Sequence, residues 1–151
     1  MVPSRFADTT LHDLAPDSTA FLITEMGELS KPLWELPLPA GEARLLGDIK
    51  ASDASFFPDG QRIVYSGGNG TFVANKDGSN PRRLTDVRGI WPRVSPDGRK
   101  IRFTLQGDDG LASLWEVAAD GNGLHELLRD WPAVSQPCCG RWTADERYFC
   151  F

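Results

Sequence analysis

Histidine, cysteine and long apolar runs are scarce in this chain, and each scarcity removes a class of function. The only histidines among 151 residues are His12 and His125, thin material for a histidine metal site or a general base. No Gly-x-Ser-x-Gly segment occurs, so the strained turn that presents a hydrolase serine is missing. The three cysteines, Cys138, Cys139 and Cys150, are too few for a disulfide scaffold and lack the second pair or nearby histidine of a zinc site. Cys138 and Cys139 are expected to be small buried residues in the short first strand of blade four, with a disulfide to Cys150 as the other option. No apolar run approaches the ~18 residues that span a bilayer, and the opening MVPSRFAD lacks the apolar segment of a signal peptide. A net charge of −5 and a pI near 5.0 supply no basic stripe for nucleic acid. Arg82-Arg83 and the Arg88/Arg93 pair are local exceptions, expected on a solvated turn and outer strand. With 40% hydrophobic and 25% charged residues, the composition is that of a globular protein.

Turn signals, by contrast, are abundant and periodic. Residues 90–128 read IWPRVSPDGRKIRFTLQGDDGLASLWEVAADGNGLHELL. Four runs of β-type residues, Trp91 to Ser95, Arg99 to Leu105, Ser113 to Ala118 and Leu124 to Leu128, are separated by three turns. In the second run Ile101, Phe103 and Leu105 alternate with Arg102 and Thr104, the period of a strand. The turns are Pro96-Asp97-Gly98, Gly107 to Gly110, and Asp120-Gly121-Asn122-Gly123, residue types that pre-set or tolerate turn dihedrals.

The same unit recurs along the chain. Pro-Asp turns stand at Asp17, Asp59 and Asp97, with a degraded copy at Asp145. An aromatic keeps phase in the third run at Trp34, Phe72 and Trp115, with a turn five residues after each. A leucine follows in phase at Leu46, Leu84 and Leu127. Periods of about 40 to 45 residues with four strands each describe propeller blades. The wording Ser95-Pro96-Asp97-Gly98-Arg99-Lys100-Ile101, with Asp77-Gly78-Ser79-Asn80-Pro81-Arg82-Arg83-Leu84-Thr85, resembles the TolB-like, WD-repeat-like β-propeller family. The expected fold is therefore all-β, a β-propeller of four-stranded antiparallel blades over 1–151. Blade one takes about 11–49, blade two 50–86, blade three 87–130, and a partial blade four 131–151. About three and a half blades make an incomplete ring, so the chain is expected to be a fragment or one part of a larger disc, and to self-associate through the open edge at Arg147 to Phe151.

The chemistry-bearing residues favour structural roles. Asp17, Asp59, Asp97 and Asp145 recur at one repeat position, where an Asp side chain caps its own turn. His125 stands at the repeat position of Arg82 and Arg44, an outer strand remote from His12, so no catalytic triad is expected. Asn75 to Asn80 lacks the ligand spacing and distal Glu of a calcium loop. Asp108-Asp109 belongs to a hairpin, and Gly67-Gly68-Asn69-Gly70 precedes a strand rather than the helix that a phosphate loop needs. No catalytic, metal or cofactor residue is assigned, and no cofactor is expected. Trp34 and Trp115 are expected to pack blades. Trp91-Pro92 and Trp131-Pro132 lie where blades three and four begin, so Arg88, Trp91, Arg93 and Trp131 form the candidate interaction rim.

The resemblance implies function only through the surroundings of such discs. Pro32 to Pro39, Ser113 to Val117 and Cys138 to Thr143 look like the C-terminal propellers of bacterial winged-helix regulators. That likeness implies an extracytoplasmic, periplasmic sensor or docking disc, binding a protein or small ligand, with no nucleic-acid contact and no membrane segment of its own. The reading is a non-catalytic binding module. The alternative is the substrate gate of a prolyl-oligopeptidase-type serine peptidase, whose hydrolase domain would lie elsewhere.

Overall fold

The computed structural model describes residues 8–27, 30–107, 110–130, 139–143, 145 and 147–151. These residues form strands and turns, with no helix among them. Four antiparallel meanders follow one another, each strand pairing with the next in sequence. The first sheet holds β1 (Thr9–Leu14), β2 (Ala20–Glu25), β3 (Lys31–Pro37) and β4 (Arg44–Ala51). The second holds β5 (Asp53–Phe56), β6 (Arg62–Gly67), β7 (Gly70–Asn75) and β8 (Arg82–Thr85). The third holds β9 (Ile90–Val94), β10 (Lys100–Gln106), β11 (Ala112–Ala118) and β12 (His125–Leu127). A two-stranded piece, β13 (Arg141–Trp142) and β14 (Phe149–Cys150), completes the order. The architecture is an open array of propeller blades.

Strand alternation explains how the blades adhere. Successive side chains of a strand leave opposite faces of its sheet, so each interior blade feeds two cores. On β6, Ile63 and Tyr65 enter the core shared with blade one, beside Leu22, Leu33 and Leu46. Val64, between them, enters the core shared with blade three, with Val73, Ile101, Phe103 and Val117. Five of the six β6 residues are therefore buried. Each such aliphatic or aromatic side chain is worth roughly 1.5–3 kcal/mol on burial. The in-phase aromatics divide among these cores: Phe72 packs on the first, Trp115 on the second, and Trp34 on a third cluster around Ile23 and Leu36.

The in-phase leucines and turn glycines meet each other. Gly78, at φ +85, lies so close to blade one that a Cβ would sit 2.5 Å from the Leu46 carbonyl. Gly121, at φ +97, stands against Leu84 of blade two in the same way, at 3.0 Å. Each blade's third turn thus seats on the fourth strand of the blade before it. Arg82 reinforces one such joint by donating to the Ala119 and Asp120 carbonyls, each at 3.3 Å.

Three details differ from the sequence expectations. β4 runs from Arg44 to Ala51, past the expected blade limit at about 49, because the chain bulges at Gly47 (φ +53) and then resumes pairing with β3. Among the described residues the strands of blade four are two residues each, and β14 is shorter than the run Arg147 to Phe151. Cys139 is exposed rather than buried, and Cys150 is exposed as well. Cys138, Trp131 and the Asp108-Asp109 pair lie outside the described residues.

Candidate functional site

The innermost strands β1, β5 and β9 bring together a polar cluster. His12 Nε2 meets Thr24 Oγ1 at 2.9 Å, and its Nδ1 lies 3.3 Å from Asp53 Oδ1. Asp53 Oδ1 also accepts the Ala54 N–H at 2.7 Å and faces Arg93 Nη1 at 3.5 Å. Asp53 as acceptor puts the histidine proton on Nδ1, leaving Nε2 to accept from the Thr24 hydroxyl. The order Thr–His–Asp is that of a hydrolase triad. Its environment is not: Thr24, His12 and Asp53 are only 5–6% exposed, and the hydroxyl is spent inside the joint between blades one and two. The cluster joins three blades through side chains.

One step further along the same strands, a cleft of about 270 Å³ opens among Asp13, Ser55, Arg93 and Arg141, with Trp142 in its wall. Each of these first four residues stands four places before its turn aspartate, Asp17, Asp59, Asp97 or Asp145. Equivalent positions of four repeats therefore converge on one space. Asp13 Oδ2 accepts from Ser55 Oγ at 2.6 Å and from the Phe56 N–H at 3.0 Å, while its Oδ1 lies 3.8 Å from Arg141 Nη1.

The four turn aspartates share one geometry. Asp17 accepts from the Thr19 N–H, Asp59 from Gln61, Asp97 from Arg99 and Asp145 from Arg147, at 2.9–3.2 Å. Hydroxyls at 2.6 Å add to this, from Thr19 to Asp17, Ser95 to Asp97 and Thr143 to Asp145. Those hydroxyl bonds, then the backbone N–H groups, hold the three carboxyls below the usual Asp range. At Asp59 partial burial works the other way, but the Gln61 N–H and Arg62 outweigh it. Asp77 and Asp120 repeat the motif at the third turns.

Three of the residues expected to form a rim, Arg88, Trp91 and Arg93, fall in or just before the innermost strand of blade three. Trp91 and Arg93 are inside β9, Trp91 at a bulge with φ +53 and Arg93 with its side chain 11% exposed against Asp53. Arg88 is half-buried just before that strand, and Trp131 is not among the described residues. Sequence reading missed Asp53 and Asp13 entirely. A signal existed for Asp13, since counting back from each turn aspartate aligns it with Ser55, Arg93 and Arg141.

Two buried glutamates also escaped notice. Glu35 and Glu116 directly follow the in-phase tryptophans, and each is held by two cations. Arg44 (2.5 Å) and Lys76 (3.2 Å) hold Glu35, while Arg102 (2.8 Å) and Lys100 (3.1 Å) hold Glu116. Burial pushes the Glu116 carboxyl up, but the Arg102 and Lys100 bonds prevail and leave it below its ordinary value. Both glutamates are consumed in side-chain pairing. No group of three or more His, Cys, Asp or Glu suited to a metal ion occurs among the described residues.

No protein-family profile and no curated protein matches this chain. Solved structures do. A protein assigned as TolB from Agrobacterium tumefaciens aligns with TM-score 0.72 and 19% identity, over 82% of this chain and 50% of that one. A chain of a nidogen/laminin complex aligns with TM-score 0.74 and 18% identity, over 92% and 54%. The tricorn protease aligns with TM-score 0.57 and 11% identity, over 87% and 14%. The chain spans about half the length of the first two. At these identities the likeness is one of fold, and the fold is that of a TolB-like β-propeller.

Proposed function

We propose that this chain is a non-catalytic binding module, an array of blades whose inner strands present a recognition surface at the cleft between Asp13 and Arg141. The observation that carries this reading is the burial of the triad-like cluster His12–Asp53–Thr24 among the described residues. A nucleophile must reach a substrate carbonyl, and Thr24 is sealed within a blade joint. The inner-strand cleft, by contrast, is open to solvent and its residues vary from blade to blade.

The finer reading is the sensor or docking disc of a bacterial regulator, on the extracytoplasmic side of the membrane. The resemblance to regulator propellers supports it, and the TolB-like fold is consistent with it. No observation specifically favours the peptidase-gate alternative, because propellers of this fold occur both with and without attached enzymes. The test has two arms. Photo-crosslinkers placed at Leu14 and Val94, beside the cleft, are expected to trap one partner that a crosslinker at Leu45 does not. Hydrolysis of a peptide or ester panel that is abolished by Thr24→Val would overturn the reading.

A further inference from the structure

The chain has four asparagines, Asn69, Asn75, Asn80 and Asn122, and the fold guards three of them. An asparagine amide is open to attack by the main-chain nitrogen of the next residue, most readily where that residue is glycine and no Cβ stands in the way. Asn80 precedes Pro81, which has no N–H to give up. Lys76, after Asn75, commits its N–H to the Gln61 carbonyl at 2.8 Å. Asn69 and Asn122 both precede glycine, but their settings differ. Gly70 is buried and paired with Gly67 in the β6–β7 ladder, and Asn69 Oδ1 accepts from Arg83 Nη2 at 2.6 Å. At the third turn of blade three neither restraint is present. Asn122 and Gly123 are exposed, and the Gly123 N–H makes no hydrogen bond among the described residues. Gly123 also has nothing within 4 Å of a notional Cβ, so its backbone is free to turn. The Asn122 amide donates from Nδ2 to Asp120 Oδ2 at 3.0 Å, an exposed bond that water replaces at little cost.

We propose that Asn122 is a site of spontaneous deamidation, and that its conversion loosens the joint between blades two and three. The Gly123 nitrogen loses its proton to a solvent base and attacks Asn122 Cγ. A bond forms between that nitrogen and Cγ, the bond from Cγ to Nδ2 breaks, and the side-chain nitrogen takes up a proton and leaves as ammonia. Water then opens the resulting cyclic imide at either carbonyl. Opening at Cγ gives aspartate. Opening at the main-chain carbonyl gives isoaspartate, whose backbone runs through Cγ and is longer by a methylene. Water is consumed, ammonia is released, and nothing is oxidised or reduced. What the turn touches sets the consequence. The Asn122 N–H, and then its side-chain amide, hold the Asp120 carboxyl below the usual Asp range. Conversion replaces that amide donor by a like charge. Gly121, between the two, seats against the Leu84 carbonyl of blade two at 3.0 Å, and Arg82 donates to the Ala119 and Asp120 carbonyls. A turn that repels itself, or that has lengthened, holds this seat less well.

The site is independent of what the inner-strand cleft binds. The full chain would be stored at mildly alkaline pH and sampled over weeks, with peptide maps read by mass spectrometry under a fragmentation that separates aspartate from isoaspartate. Asn122 is expected to convert first and Asn69 about tenfold more slowly, the effect of opening the ladder pair that closes the β6–β7 hairpin. In urea the two Asn-Gly pairs are expected to convert at like rates, which makes the difference a property of the fold. Storage at mildly acidic pH should slow Asn122, because the attacking nitrogen must lose its proton. The converted chain, separated by anion exchange, is expected to unfold at lower urea than the fresh chain. Asn122→Gln, whose longer side chain disfavours the cyclisation, should keep its own midpoint throughout storage. Equal rates at Asn69 and Asn122 in the folded chain, or no conversion at Asn122 under conditions that convert it in urea, overturn the site. A converted chain with the midpoint of the fresh one overturns the effect on the joint.

Discussion

Asp53 shows how much one side chain does in this fold. It is 5% exposed, accepts the Ala54 N–H, and faces His12 from blade one and Arg93 from blade three. Truncating it leaves a buried guanidinium without its counter-charge and a buried imidazole N–H without its acceptor. Asp53→Ala is expected to destabilise by about 3–5 kcal/mol, the cost of breaking a buried charged pair from one side, measured by urea unfolding. A loss below about 1 kcal/mol would mean that the cluster is incidental. The turn aspartates make a different prediction, about acid. Asp17, Asp97 and Asp145 titrate below the ordinary 3.8 when folded. A carboxyl whose folded pKa is depressed contributes stability that is present above its unfolded value and lost as pH falls through the folded one. Unfolding midpoints are therefore expected to hold from pH 7 to about 5 and to drop below pH 4. Asn keeps the acceptor oxygen and removes the titration, so the Asp17→Asn/Asp97→Asn double variant should show a shallower acid limb. An unchanged slope would place the acid sensitivity elsewhere. These turn residues could be read from the sequence because their partners lie two residues away. The His12–Asp53–Arg93 cluster could not, since each partner lies about 40 residues from the next and only blade stacking joins them.

The joint between consecutive blades is where backbone rather than side chain carries the fit. Gly78 and Gly121 combine positive φ with close approach to the preceding blade, whereas Gly60 (φ +64) and Gly123 (φ +68) have nothing within 4 Å of a notional Cβ. Left-handed backbone alone costs a Cβ-bearing residue about 1–2 kcal/mol, the loss expected for Gly60→Ala. Gly121→Ala should lose more and Gly78→Ala most, because main-chain atoms of Leu46 and Gly47 must then move. Chemical denaturation of the three variants checks the order, and a Gly78→Ala no worse than Gly60→Ala would refute the seating of turn on strand. Strands were legible where alternation and turn residues agree: the runs read at Arg99 to Leu105 and Ser113 to Ala118 are β10 and β11 to within one residue at each end. β4 was not, because a bulge at Gly47 breaks the period halfway along and hides the pairing of Lys50 and Ala51 with β3. Trp91 and Pro92 lie in β9, as the run Trp91 to Ser95 implies, where a bulge accommodates the positive φ and an inner strand tolerates a missing N–H.

Across the whole molecule, each sheet depends on the next, since a blade buries its two faces against neighbours and cannot bury them alone. Blade two has both neighbours, and its β6 and β7 are buried almost throughout. The last pair, β13 and β14, has one strand partner each among the described residues. Tyr148 and Phe151 on that flank are 60% and 50% exposed, next to the outward side of β14. An unpaired strand edge carrying aromatic side chains recruits another edge, and among the described residues β14 presents one. The chain is therefore expected to self-associate in a concentration-dependent way, read as a mass above 16.6 kDa by size exclusion with light scattering. Tyr148→Lys with Phe151→Lys places charge on that flank and should return the chain to monomer without lowering its unfolding midpoint, because both side chains are already solvent-facing. A wild-type monomer at every concentration tested would show that the edge is protected. Association that survives both lysines would move the contact to the exposed leucines that flank β11 and β12, Leu111, Leu124 and Leu128.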